Sequence, residues 1–134
     1  MKKISILLVL IVLFALSGCV NKSVSPTSIS ANAVVIDIAS SDKLAAIEEE
    51  KIVKELTAMY NTLRMEKVNK SIDESSVINV VYYKDKKEIS IFSVDKNGVL
   101  YLYRDNKNIY KITNKSIDYK RIASIFEEYK NTDK

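Results

Sequence analysis

The sequence predicts an α+β domain: an antiparallel β-meander of about four or five strands, with a long N-terminal helix on one face and a short C-terminal helix. Apolar residues recur at helical spacing between residues 44 and 64. Four β-rich runs follow between residues 76 and 112, separated by turns ten positions apart. A second amphipathic pattern covers residues 116–130. The chain has 134 residues, which is short enough for one domain.

The first 18 residues have the pattern of an export signal. Two lysines follow Met1, and residues 4–16 are apolar except for one serine. The apolar run ends in the quartet Leu16-Ser17-Gly18-Cys19. This quartet resembles the lipobox of bacterial lipoproteins, in which a peptidase cuts before the cysteine and a diacylglycerol is attached to its thiol. The resemblance implies a palmitate-labelled lipid anchor on Cys19 and a location on the extracytoplasmic face of the cell membrane.

Three other interpretations of this segment remain open. Cys19 could be an ordinary buried thiol, although it lies between a signal-like run and a polar linker. Residues 4–20 could be an uncleaved transmembrane helix, although they are only just long enough to span a bilayer. Ordinary secretory cleavage near Ala15 would leave the cysteine without a role. The lipoprotein interpretation is preferred because it accounts for the apolar run, the small residues and the single cysteine together.

Residues 19–33 are predicted to be a lipidated, flexible tether, and residues 34–134 a small extracytoplasmic α+β domain. The tether is rich in serine and contains the only proline of the chain, Pro26. Such a composition buries too little apolar surface to fold by itself. About fourteen residues of random coil would reach roughly 20 Å.

The domain begins with a β-branched run, Val34–Ile38, which predicts the first strand. Ser40, Ser41 and Asp42 then offer N-caps for the long helix, which is predicted to continue to Arg64. The acidic triplet of residues 48–50 would lie near the start of this helix. It could serve as an acid/base or cation site, but a solvated helix face is preferred because consecutive side chains point in different directions.

The strand region predicts a sheet with one aliphatic and one aromatic face. Its four runs are Val77–Tyr83, Glu88–Val94, Val99–Arg104 and Ile109–Ile112. A two-residue type I′ turn at Asn97-Gly98 would place Val94 opposite Tyr101 and Phe92 opposite Tyr103. With a second two-residue turn at residues 85–86, the aliphatic face would carry Ile78, Val80, Tyr82, Ile89, Ile91, Leu100 and Leu102. The aromatic face would carry Val81, Val94, Tyr83, Phe92, Tyr101 and Tyr103.

The last predicted element is a short helix with four apolar residues at helical spacing: Ile122, Ile125, Phe126 and Tyr129. The long helix is expected to cross the aliphatic face of the sheet. The short helix is expected either to close an edge of the sheet or to cover part of its aromatic face.

The predicted order of elements behind a lipobox resembles a family of short, uncharacterised surface lipoproteins of Gram-positive bacteria. The residues that carry this resemblance are Lys70-Ser71-Ile72, Ile89-Ser90-Ile91, Tyr101-Leu102-Tyr103 and Ile109-Tyr110-Lys111-Ile112. The similarity covers about residues 34–130. It implies a fold and a cellular location, and it brings no established activity.

Composition excludes several classes of function. The chain has 21 basic and 17 acidic residues, a net charge of +4, and loss of the two signal-peptide lysines would leave +2. Acidic and basic residues alternate, as in residues 84–88, so the sequence predicts no nucleic-acid partner. There is no histidine, and the one cysteine would carry lipid. The sequence therefore predicts no metal site, no cofactor and no intrachain disulfide.

The preferred functional hypothesis is a non-enzymatic binding or interaction module that contacts a protein or another cell-envelope component. Four aromatic residues would form a rigid, amphipathic contact surface: Tyr83, Phe92, Tyr101 and Tyr103. The alternative for these rings is packing beneath the C-terminal helix, because small domains rarely expose a large apolar patch.

Two other functions are weighed against it. A small extracytoplasmic hydrolase would draw on carboxylates and a serine from the set Asp37, Asp42, Glu88, Asp118, Ser71 and Ser90, but no base is evident beside either serine. No catalytic residue is therefore predicted. Residues 12–18 also resemble enterococcal sex pheromones in length and character, so the cleaved signal could be the precursor of a signalling peptide.

Overall fold

The computed structural model describes residues 22–102, 105 and 107–133, apart from the side chains of 132 and 133. Within these residues it contains eight strands, two α-helices and one short 3₁₀ turn at Glu74–Ser76. The strands are β1 (Ala33–Ile38), β2 (Lys43–Ile47), β3 (Met65–Val68), β4 (Ile78–Lys84), β5 (Lys87–Val94), β6 (Val99–Leu102), β7 (Ile109–Ile112) and β8 (Lys130–Asp133). The helices are α1 (Glu50–Asn61) and α2 (Tyr119–Tyr129).

The strands form one antiparallel sheet in the order β3-β7-β6-β5-β4-β1-β2-β8. Strands β4 to β7 follow one another, and the β1–β2 hairpin joins them through β4. Because neighbouring strands alternate in direction, β2, β3, β4 and β6 all finish at one end of the sheet, which we call the lower end. The predicted architecture is wrong: the sheet has eight strands in the described residues, not four or five, and the first helix is short and follows β2.

The first four residues of the predicted long helix, 44–47, belong to strand β2. Residues 43–47 pair with β1, and Ala45 and Ile47 point into the core while Ala46 is exposed. The predicted helix caps lie instead in the β1–β2 turn, where the backbone N–H of Ser41 bonds to the carbonyl oxygen of Ile38. A short run of apolar residues can fit both the helical and the strand spacing, and here the pairing with β1 favours the strand. The predicted order of elements, with a long helix directly after the first strand, is wrong for the same reason.

Both helices pack on the same face of the sheet. Their buried side chains share one core with the inward-facing residues of the strands: Ile52, Leu56, Tyr60, Ile122, Ile125 and Phe126 meet Val34, Ile36, Val80, Tyr82, Phe92 and Leu100. Arg121 of α2 makes a bidentate ion pair with Glu55 of α1, with Nε–Oε1 and Nη2–Oε2 distances of 2.7 and 2.9 Å. The short helix therefore lies beside α1, and it neither closes an edge nor covers the opposite face.

A β-bulge between β4 and β5 shifts the predicted register by one residue. The turn at Asp85 and Lys86 is the expected two-residue turn, with φ angles of 51° and 65°. Beyond it, however, Tyr83 lies opposite Glu88 while Tyr82 lies opposite Ser90, so Ile89 is the extra residue of the bulge. The inward side chains of β4 therefore meet Phe92 and Val94, not Ile89 and Ile91.

The turn between β5 and β6 also differs from the predicted type I′ turn. The backbone N–H of Asp95 bonds to the carbonyl oxygen of Val99 at 2.9 Å, which leaves a three-residue loop. Among the described residues of this loop, only Gly98 has a positive φ, at 76°. The Asp95 carboxylate stabilises the loop by accepting from the N–H groups of Asn97 and Val99. Val94 consequently pairs with Leu100, and the predicted pairing with Tyr101 is wrong.

Much of the predicted tether is hydrogen-bonded to the domain. Val24 makes an isolated antiparallel bridge with Met65 at the outer edge of β3, with N–O distances of 2.7 and 3.0 Å. Further along, the side-chain amide of Asn61 exchanges two hydrogen bonds with the backbone of Ile29, at 2.8 and 2.9 Å. Two polar side chains of the segment also have partners on the domain: the Ser25 hydroxyl accepts from Arg64, and the Asn32 amide donates to Asp85. Composition alone does not reveal these contacts.

Candidate functional site

The face of the sheet opposite α1 and α2 carries a stripe of apolar side chains, which we call the open face. Its members alternate with the core residues of the same strands: Val35, Ala46, Val81, Tyr83, Ile89 and Ile91. Val35 lies between Ala46 and Val81, and Val81 lies opposite Ile91. Ala46 and Ile89 are exposed, Ile89 by 37%, and the other four are half-buried.

A cleft of about 690 Å³ lies at the lower end of this face. Its apolar wall includes Val35, Ala46 and Tyr83, and its rim includes the charged residues Glu48 and Asp85. The β-bulge at Ile89 lies on the strand next to Tyr83, and bulges locally bend and twist a strand. The cleft therefore combines an apolar floor, a phenolic ring and charged groups at its border, which suits an amphipathic ligand surface.

A polar row separates this stripe from the upper end of the sheet. The side-chain amide of Asn79 donates to the Asp37 carboxylate at 3.3 Å, and the Ser93 hydroxyl donates to the amide oxygen of Asn79 at 2.5 Å. Tyr101 extends the row because it lies opposite Ser93. Asp37, Asn79 and Ser93 are hydrogen-bonded to one another, so they stabilise the sheet as well as defining the border of the apolar stripe.

The predicted aromatic surface is divided between the two faces. Phe92 has no exposed area and packs against Tyr60 and Tyr82, with ring centroids 6.2 Å away in both cases. Its assignment to a contact surface is wrong, because the bulge turns it toward the helices. Tyr83 and Tyr101 are half-buried on the side away from the helices, and Tyr103 lies outside the described residues.

The buried aromatic cluster also explains the strongly raised pKa of one tyrosine, Tyr82. The hydroxyl of Tyr82 donates to the carbonyl oxygen of Leu56 at 2.7 Å, so the ring crosses from the sheet to α1. Burial, and then the neighbouring Tyr60, raise the pKa of Tyr82 well above its usual value. Ser90 lies in the same region, and its hydroxyl donates to that of Tyr60 at 2.9 Å. These polar groups are structural links between sheet and helix.

The residues weighed for hydrolysis are not brought together. Asp37 and Glu88 lie at different levels of the sheet, opposite Asn79 and Tyr83 respectively. Asp118 caps α2 by accepting from the backbone N–H of Arg121 at 3.0 Å, and Ser90 is buried against Tyr60. The remaining two, Asp42 and Ser71, are exposed in connecting segments.

The acidic triplet is also divided among separate contacts. Glu49 accepts a hydrogen bond from the Tyr129 hydroxyl, which raises the pKa of that tyrosine to about 12. Glu50 pairs with Lys54, and Glu48 follows β2 at the cleft rim. Over residues 22–102, 105 and 107–133, no group of three potential ligands is placed to hold a metal ion.

Comparison with protein-family models, curated proteins and solved structures finds no match for this chain. The two sequence resemblances therefore stay predictions. The signal-cleavage residues Leu16, Ser17 and Gly18 and the lipidation residue Cys19 lie outside the described residues, as does the rest of the 12–18 segment. No helix in the described part of the chain has the length and apolarity needed to cross a bilayer.

One group of residues that sequence reasoning missed is a lysine cluster at the lower end of the β3–β7 edge. Lys67, Lys70 and Lys107 line a shallow cleft of about 490 Å³. Lys107 is about forty positions beyond the other two in the sequence, and the pairing of Val68 with Ile109 brings the segments together. No local charge run signals this cluster, because only the pairing of β3 with β7 creates it.

Proposed function

We propose that the chain is a lipid-anchored lipoprotein of the extracytoplasmic membrane face, and that it binds a protein partner through the open face of its sheet. The anchor part of the proposal rests on the signal-like run and the Leu16-Ser17-Gly18-Cys19 quartet. The binding part rests on one observation: an apolar stripe and an adjoining cleft lie on the face of the sheet opposite both helices.

The chemistry of the open face favours a macromolecular partner. Val35, Val81 and Ile91 are β-branched side chains on a rigid sheet, so little conformational entropy is lost when they are covered. Tyr83 adds a ring that can contact apolar groups and still donate a hydrogen bond. Charged residues at the border would provide the polar rim that protein interfaces usually have.

The anchor is tested by metabolic labelling with palmitate and by mass spectrometry of the membrane-bound protein. We expect lipid on Cys19 and an N-terminus at that residue, and Cys19→Ala should abolish both. An unlabelled chain that retains residues 1–18 would contradict the lipoprotein assignment.

The binding surface is tested by chemical crosslinking on intact cells that produce the full chain. Ile89→Arg and Ala46→Arg place a charge on exposed positions of the open face, whereas Ser124→Arg places the same charge on the exposed side of α2. We expect the crosslinked complex to be lost in the first two variants and kept in the third. Equal crosslinking of all three variants would refute the assignment of this face.

A further inference from the structure

The lysine cluster defined above presents three ammonium groups to solvent. All three side chains are exposed, and among the described residues none of them forms an ion pair. The carboxylate of Asp105 is nearby and interacts electrostatically with Lys67, but it accepts hydrogen bonds from the hydroxyl of Tyr110 and the amide of Asn108 at 2.6 and 2.7 Å. These donors are neutral, so Asp105 keeps its negative charge and offsets one of the three positive charges, and the cluster remains net positive.

The first described residues of the chain lie beside β3, the strand that carries Lys67. Because the bridge between Val24 and Met65 is antiparallel, the two described residues before Val24, Lys22 and Ser23, lie on the side of Val68 and the cluster. Lys22 is also exposed. Cys19 stands five positions before Val24, and a fully extended chain of five residue steps spans at most about 18 Å.

We propose that Lys67, Lys70 and Lys107 rest on the anionic phospholipid headgroups of the membrane that holds Cys19. This inference rests on the lipid anchor proposed above. A lipid on Cys19 would keep the cluster close to the bilayer surface, where electrostatic attraction acts over a screening length of about 8–10 Å. A shallow cleft with exposed ammonium groups fits a flat anionic surface, whereas a single small anion would be held more tightly by an enclosed site.

The proposed contact fixes the orientation of the domain. The cluster lies at the lower end of the sheet, so the strands would stand upright on the membrane. Both faces of an upright sheet point sideways, and the open face would therefore remain accessible to a partner on the same membrane.

The test uses the full lipidated protein reconstituted in vesicles. Because the only native cysteine would be alkylated by the lipid, an introduced cysteine is the only free thiol. Asn69→Cys places it inside the lysine cluster, and Ser40→Cys places it in an exposed turn at the upper end as the matched control. The measurement is the rate of labelling by a bulky, water-soluble maleimide on phosphatidylcholine vesicles with and without phosphatidylglycerol.

With phosphatidylglycerol present, we expect the thiol at position 69 to react at least about tenfold more slowly than the thiol at position 40. Each lysine near an anionic surface favours the docked state about fivefold, so three lysines together would favour it about a hundredfold. The difference should vanish on pure phosphatidylcholine, in high salt and in the combined variant K67Q/K70Q/K107Q. The charge-preserving variant K67R/K70R/K107R should retain it.

Equal labelling at the two positions on anionic vesicles would overturn the proposal. Protection of position 69 by inorganic phosphate on neutral vesicles would overturn it as well, because the cluster would then be a site for a free anion. Failure of the anchor has a separate signature: wild-type protein would itself react with the maleimide and would not float with vesicles of either composition.

Discussion

Replacement of Phe92 by alanine tests the register of the sheet, which decides which face is the core. Phe92 is fully buried, and its ring contacts those of Tyr60 and Tyr82 beneath α1. Removal of a buried phenylalanine costs about 3–5 kcal/mol, because transfer energy is lost and a cavity remains. This is a large share of the roughly 5–15 kcal/mol that stabilises a domain of this size.

The neighbouring residue provides the matched control. Ile91 is half-buried on the open face, so Ile91→Ala should cost only about 1 kcal/mol. Urea unfolding followed by far-UV circular dichroism measures both values, and the chain contains no tryptophan that would offer a fluorescence signal. A β4–β5 hairpin without the bulge would place Ile91 in the core and Phe92 on the open face, so it predicts that Ile91→Ala is the more destabilising change. If Ile91→Ala were the more destabilising change, the bulge and the core derived from it would be wrong.

Three further changes have expected outcomes. Gly98→Ala should lower the free energy of unfolding by about 1–2 kcal/mol in urea titrations, because the backbone φ of Gly98 is 76°. A steric clash is not the cause, since an added Cβ would lie 4.0 Å from the nearest atom. Gly98→Asn should cost less than Gly98→Ala, and equal costs would contradict backbone strain as the cause. Arg121→Ala should lower the free energy of unfolding by at most about 1 kcal/mol, since both partners of its ion pair with Glu55 are about one-third exposed. This loss should shrink in high salt, and a loss that does not shrink would contradict an electrostatic origin. Hydrogen bonds from Ser75 and Lys96 lower the pKa of Asp73 to about 2, below its unfolded value, so this stabilisation is present above about pH 4 and is lost as the pH falls through 2. In Asp73→Asn, the free energy of unfolding should no longer fall between about pH 4 and pH 2 through this group. An acid-unfolding profile identical to that of the wild type would refute the contribution of Asp73.

The central strands were predictable because their signals are local. Alternating β-branched and aromatic residues give β4, β5 and β7, and Asp85-Lys86 is the expected two-residue turn. The Ser116–Lys130 pattern gives α2 because its apolar residues fall on one helical face.

The remaining elements depend on partners that are distant in sequence. Residues 43–47 fit a helix until β1 provides a pairing edge, and β3 has a mixed composition that becomes a strand only beside β7. β8 is polar and pairs with β2 at the sheet edge. The predicted surface of Tyr83, Phe92, Tyr101 and Tyr103 failed at Phe92, because the bulged residue moves Phe92 and Val94 to the core face. The three-residue loop after β5 then returns Tyr101 to the open face. The lysine cluster could not be predicted because its members come from separate segments.

The placement of β1 has a kinetic consequence. β1 can pair with the next strand, β2, at once, but its other neighbour is the more distant β4. β3 pairs with β7, and three strands lie between them in the sequence. Contacts between such distant segments require closure of large loops before any favourable energy is gained. The chain should therefore fold on the millisecond-to-second scale of high-contact-order proteins, with an early hairpin at Asp85-Lys86 and a late union of the two halves of the sheet.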